Sequence, residues 1–221
     1  MKLFVEALTK FLAGLVAVAV LIFLSAGTLA YRNGWLFMIL MFVPMFIFGL
    51  YLFAKKPDLL RKRLNIKEKE NTQKGVIGFS ALFFIAGFIV AGLDFRFGWT
   101  SVPLWAVIVA ADIFVLAYLL YAEVIRENAY LSRTIDVSEG QTVVDNGMYA
   151  VVRHPMYSVT LFLFLSIPII LGSWWSLFCF LPYPVLIIIR ILNEEKVLTR
   201  DLNGYAEYKK KVKYRLIPFI W

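Results

Sequence analysis

The sequence predicts an all-α integral membrane protein: a bundle of about six transmembrane helices whose last pair is a short hairpin. Three observations predict it. Of 221 residues, 61% are hydrophobic and mean hydropathy is +0.76, against roughly 45–50% apolar residues in soluble domains. Apolar runs near the roughly 20 residues needed to cross a bilayer recur along the chain. Lys and Arg fall almost entirely between and after those runs.

The first two runs, 3–30 and 35–54, are joined by Tyr31-Arg32-Asn33-Gly34. The first is long and lacks a small-residue cleavage site, so it reads as a retained membrane helix. Runs 75–93 and 102–122 form a second pair around DFRFGWTS. A third pair, 156–171 and 174–189, turns at Gly172-Ser173. Each of its arms has 16 residues, or roughly 24 Å of helix, which suits a short spanning pair or a re-entrant hairpin. Of the 23 Lys and Arg residues, only Arg32 and Arg96 lie on the side opposite the others. The bias predicts a multi-pass protein with both termini cytoplasmic.

The net charge is +8. Because it is concentrated beside apolar runs, it predicts contact with anionic membrane lipids and argues against nucleic acid as a partner. The charge-dense linker 55–74 reads as a solvated inside loop, with an anionic lipid or a substrate tail as the alternative contact. The lone cysteine, Cys179, cannot form an internal disulfide. Residues 1–122 are expected to be four N-terminal spans, and residues 123–221 a C-terminal region carrying the chemistry. Asp112 falls within a span, where an acid costs roughly 2.5–3.5 kcal/mol unless it faces protein or water. It is read as bonding a neighbouring helix, with a cavity-lining role as the alternative.

EVIRENAYLSR reads as a cytoplasmic extension of the fourth helix. TIDVSEGQTVVDNGMYAVV then reads as a long loop, suited to a lid or ligand wall. Arg153-His154-Pro155 follows, and proline favours the first helical turn, so a helix is expected from Pro155 or Met156. Its free backbone N–H groups and Arg153 would suit an anion. An interfacial anchor, with Tyr157 in the aromatic belt, fits these three residues equally well. Downstream, Arg190 and Glu194 share a helix face at i, i+4, and Glu195 adjoins them. Two polar clusters joined by one hairpin argue for a pocket with an anion-binding end and a carboxylate end. In the tail, Tyr205, Tyr208 and Val212 recur at i, i+3, i+7, the pattern of an amphipathic helix lying on the membrane. There is no Gly-x-Gly-x-x-Gly after a strand, and one His with one Cys argues against a metal site.

QTVVDNGMYAVVRHPMYS, RILNEEKVL, GYAEYKKKV and the closing LIPFI resemble the isoprenylcysteine carboxyl methyltransferase family. The same segments are similar to a wider membrane group that includes phospholipid N-methyltransferases. The resemblance spans roughly residues 123–220; before that, only hydropathy agrees. It implies a membrane enzyme that uses S-adenosylmethionine without a Rossmann domain, in a cytoplasmic C-terminal cofactor pocket. A lipid-like or prenylated acceptor would enter from the bilayer. Carried over, Gln141, Thr142, Val143, Val144 and Tyr149 would line the cofactor pocket. His154, Pro155, Met156 and Tyr157 would hold the amino-acid part or the adenosine, with Arg153 beside them and Glu194 in contact with the cofactor. Arg190 would face the substrate carboxylate, and Arg190 and Glu195 are expected as catalytic residues. Gln141 departs from the histidine frequent in the family, although glutamine still donates and accepts hydrogen bonds.

A carboxylate acceptor is already ionised and needs only positioning, which Arg190 could provide bidentately. An amine or thiol must first lose a proton, which would engage Glu194 or Glu195. The alternatives are a phosphatidylethanolamine-type N-methyltransferase, a sterol-type membrane reductase, and a non-catalytic membrane protein or small transporter. The sequence leaves the oligomeric state open.

Overall fold

The structure is a computed structural model that describes residues 2–65, 71–128, 130–132, 134, 137 and 139–221, with Asn71 described by its backbone alone. Apolar stretches become helices because a helix satisfies every internal backbone donor and acceptor without water. The helices are α1 (Lys2–Ala26), α2 (Arg32–Lys55), α3 (Pro57–Leu64), α4 (Asn71–Phe97), α5 (Leu104–Glu127), α6 (Pro155–Ile170), α7 (Trp174–Phe180), α8 (Tyr183–Asp201) and α9 (Tyr205–Lys211). A 3-10 turn occupies Gly147–Ala150, and no strand occurs among the described residues.

Among the described residues, five segments are long and apolar enough to cross a membrane: α1, α2, α4, α5 and the stretch Trp174–Asp201 formed by α7 and α8. Only 11–28% of each segment's apolar window is buried, so the outer faces present side chains such as Leu24, Leu104 and Leu119. α6 has 16 residues and falls below that length. The expected six-helix bundle therefore has five long spans, with the short α6 among them. The last hairpin pairs α6 with a broken helix, because Pro182 and Pro184 flank the α7–α8 junction and proline cannot continue a helical hydrogen-bond ladder.

The core is aromatic. Phe37, Phe88, Phe114 and Phe180 are buried with Ile167 and Ile170. α1 meets α4 at Gly92, where a Cβ would lie 1.9 Å from Ser25 Oγ and 2.6 Å from the Ile22 carbonyl. Only glycine allows that approach. At one end of the bundle, the buried Asp94 accepts hydrogen bonds from Thr100 N (2.7 Å), Thr100 Oγ1 (2.5 Å) and Ser173 Oγ (2.5 Å). Ser173 also caps α7 by accepting from Ser176 N, and the Tyr31 hydroxyl donates to the Leu171 carbonyl. These bonds fix the α6–α7 turn against α4, and α6 emerges toward the opposite end.

The charged linker is more structured than a solvated loop. α3 forms within it and buries Leu59 and Leu60 against Leu52 and Ile125. The part of the linker at 66–70 lies outside the described residues. The extension expected after α5 stops at Glu127, because Asn128 Oδ1 accepts from Tyr130 N and turns the chain. Asp112 neither bonds a neighbouring helix nor lines the site; it is exposed on the outer face of α5, beside the exposed Ile108, Val109 and Leu116.

Candidate functional site

The site lies where α6 begins. Pro155 starts the helix as expected, with His154 at its N-cap. His154 N donates to the Arg215 carbonyl (2.9 Å) and Arg153 N to that of Tyr214 (2.9 Å), so the tail chain runs alongside the motif. Ser158 Oγ donates to the Leu216 carbonyl at 2.5 Å and adds a third tie. In the first turn of α6, Tyr157 N and Ser158 N bond the His154 carbonyl.

Beneath the motif, α8 presents two carboxylates in different directions. Glu195 is 4% exposed and accepts from Arg153 Nε (2.6 Å) and Arg215 Nε (3.0 Å). His154 Nε2 stands 3.4 Å from its Oε1. Arg153 Nη1 donates to the carbonyls of Val212 (2.7 Å) and Lys213 (2.9 Å). Arg153 and Glu195 therefore clamp α8, the start of α6 and the tail together. Glu194 points the other way and accepts from the Tyr157 hydroxyl at 2.5 Å. That hydroxyl also receives Arg190 Nε at 2.8 Å, so Arg190 and Glu194, one turn apart, meet through Tyr157. Arg190 also stacks over the Tyr157 ring at 5.8 Å.

The loop before α6 closes the remaining side. Glu127 accepts from Met148 N (2.9 Å), and a Cβ on Gly147 would overlap that carboxylate at 1.8 Å. Gly147 also has φ +53°, a left-handed conformation that glycine adopts without a Cβ penalty. The adjoining Tyr149 is buried, accepts from Asn128 Nδ2 (3.1 Å) through its hydroxyl, and accepts from the Tyr208 hydroxyl (2.7 Å) through its carbonyl. Val143 packs on Leu202, Tyr205, Tyr208 and Val212. The tail aromatics thus face protein, not a membrane surface, and the exposed lysines of α9 take the outer side.

These elements surround an open cavity at the start of α6. Gln141, Thr142, Val143, Val144, Tyr149, Arg153, His154, Met156, Tyr157, Arg190 and Glu194 all line it. Pro155 and Glu195 do not. Sequence reasoning missed Asn128, Ser132, Leu198, Leu202, Tyr205 and Tyr208 on its walls. Tyr205 and Tyr208 had stood out only as a periodic aromatic stripe.

One buried polar atom at the cavity has no hydrogen-bond partner among the described residues, the Tyr205 hydroxyl, whereas His154 Nε2 faces the Glu195 carboxylate. Tyr205 is 3% exposed, and burial raises its phenol well above the usual tyrosine range, with Glu195 and Glu194 nearby adding to the rise. It therefore stays a neutral donor at physiological pH. Burial has the same effect on Tyr149 and Tyr208. No His, Cys, Asp or Glu cluster fit for a metal ion occurs among the described residues.

Residues 105–204 match the family model of phospholipid methyltransferases. No curated protein matches the sequence. Among solved structures, the chain is similar to the eukaryotic intramembrane Ras methyltransferase, isoprenylcysteine carboxyl methyltransferase. The TM-score is 0.59 with 21% identity, over 97% of this chain and 77% of that one. The family match covers the α5–α8 segment that builds the cavity, and the shared fold covers nearly the whole chain. The chain is therefore similar to phospholipid methyltransferases over residues 105–204 and shares the fold of the isoprenylcysteine carboxyl methyltransferase over nearly its whole length.

Proposed function

We propose that this chain transfers a methyl group from S-adenosylmethionine to the carboxylate of a lipid-like or prenylated acceptor, at the cytoplasmic face of a membrane. The observation that carries the reading is the cavity. It combines a carboxylate (Glu194), amide and hydroxyl groups (Gln141, Asn128, Ser132), apolar walls and the buried Tyr205 hydroxyl, which has no partner among the described residues. That set fits a zwitterionic, hydroxyl-bearing cofactor with an aromatic base, because buried polar atoms left without partners cost roughly 1–3 kcal/mol each until a ligand meets them. The cofactor, when bound, supplies an electrophilic methyl group on a sulfonium.

The chain's own residues divide the remaining work. Glu194, Tyr205, His154 and Gln141 hold the cofactor, with Met156 and the Val143–Val144 wall excluding water from it. Arg190 holds the acceptor carboxylate, which is ionised at neutral pH and requires no base. Glu195 acts as a positioning residue: its carboxylate is taken up by Arg153 and Arg215, so it orients the start of α6 and touches no reacting atom. The cytoplasmic assignment rests on the basic residues gathered at the site end, with Arg32 and Arg96 at the other.

The family match also favours a second reading, transfer to the amine of a phospholipid. Glu194, hydrogen-bonded to Tyr157, would then accept the proton that the amine must lose. Calorimetric titration with S-adenosylmethionine tests both readings, and no binding at tens of micromolar would remove them. A labelled-methyl assay comparing farnesylcysteine with phosphatidylethanolamine then separates the acceptors. His154→Ala and Glu194→Ala should weaken cofactor binding about tenfold or more, the scale of roughly 1.4 kcal/mol. Arg190→Ala should spare that binding and reduce acceptor turnover.

A further inference from the structure

Gln73 carries a polar contact from α4 to the site, through two hydrogen bonds with Arg190. It sits in the first turn of α4 and is 0% exposed, an unusual place for a glutamine unless both ends of its amide are bonded. Its Oε1 accepts from Arg190 Nη1 at 2.9 Å. Its Nε2 points to the Arg190 carbonyl at 3.4 Å. One side chain from the N-terminal bundle therefore grips both the guanidinium and the backbone of the same residue. On the other side, Arg190 Nε is held by the Tyr157 hydroxyl.

A guanidinium fixed along two of its edges has its plane set, and a planar fork must be aimed correctly to receive a carboxylate bidentately. The choice of an amide also matters. A carboxylate at this position would pair with the guanidinium and compete with an anionic acceptor, whereas an amide orients it and leaves its charge intact.

We propose that Gln73 is the positioning residue that aims Arg190 at the acceptor, so that the N-terminal bundle takes part in acceptor selection. The inference rests on the methyltransferase reading above. It assigns acceptor specificity partly to a segment outside the family match at residues 105–204.

The test uses the full chain in detergent with farnesylcysteine as acceptor, and compares Gln73→Leu and Gln73→Glu with wild type. Both variants should raise the acceptor KM about tenfold and weaken farnesylcysteine binding measured by calorimetry to a similar degree. Binding of S-adenosylmethionine should stay within twofold. Gln73→Glu keeps an accepting oxygen, so it remains informative if Gln73→Leu does not fold, and its thermal midpoint should match wild type. Unchanged acceptor KM and binding in the folded variants overturn the assignment. An equal loss of cofactor and acceptor binding also overturns it, because that pattern marks a general structural role. If wild type itself binds no S-adenosylmethionine, the methyltransferase reading fails first and takes this inference with it.

Discussion

Glu194 and Glu195 are neighbours in sequence with opposite surroundings. Successive helical residues point about 100° apart, so Glu194 meets Tyr157 at the cavity while Glu195 turns into a nest of cations. Removing one partner of a buried ion pair costs roughly 3–5 kcal/mol because the other charge is left uncompensated. Glu195→Gln should therefore lower the thermal midpoint in detergent by several degrees, and a variant as stable as wild type would refute its clamping role. Tyr205 predicts the reverse pattern. Its hydroxyl is buried without a partner among the described residues, so Tyr205→Phe should leave the ligand-free protein as stable as wild type or slightly more so. The same change should weaken S-adenosylmethionine binding about tenfold, the scale of one hydrogen bond at roughly 1.4 kcal/mol. Unaltered binding in a calorimetric titration would remove Tyr205 from the cofactor site.

At the scale of elements, hydropathy located the spans well because a bilayer imposes length and polarity on each helix separately. It placed the starts of α6 and α7 within a residue or two, where Pro155 and Ser173 mark helix starts chemically. It missed α3, whose eight residues are dominated by charge and whose burial rests on Leu59 and Leu60 alone. It also set Gln73 aside as part of a solvated linker, since a polar residue at a helix start gives no sign of its partner. Helix contact is similarly invisible until the helices are paired. Gly92 permits the α1–α4 crossing, and Gly92→Leu should disrupt it by several kcal/mol through overpacking against Ser25 and Ile22. Gly14→Leu provides the comparison, since nothing lies within 4 Å of a Cβ there. Equal thermal stability of the two variants would contradict the crossing.

At the scale of the whole molecule, charge and topology agree. The cavity, α3, the tail and most of the basic residues gather at one end, while Arg32, Arg96 and the Asp94 node occupy the other. Orientation in a membrane can be read by labelling single cysteines on a Cys179→Ser background. Ser101→Cys should react with an impermeant maleimide from outside intact cells, and Lys213→Cys only after permeabilisation. The opposite pattern would invert the proposed topology and remove the cytoplasmic assignment of the site.

By itself, the sequence determined the membrane class, the approximate spans and the start of α6, properties that local hydropathy and proline chemistry carry. The residues of the cavity wall that it named came from the resemblance of its motifs to a known family. Only the tertiary structure decided which of two adjacent glutamates faces the cavity, which way the tail aromatics turn, and that Gln73 reaches Arg190 across 117 positions. The physical reason is range. A bilayer and a helix act on each segment alone, whereas a buried hydrogen bond or ion pair exists only once distant segments have been brought within about 3 Å of each other.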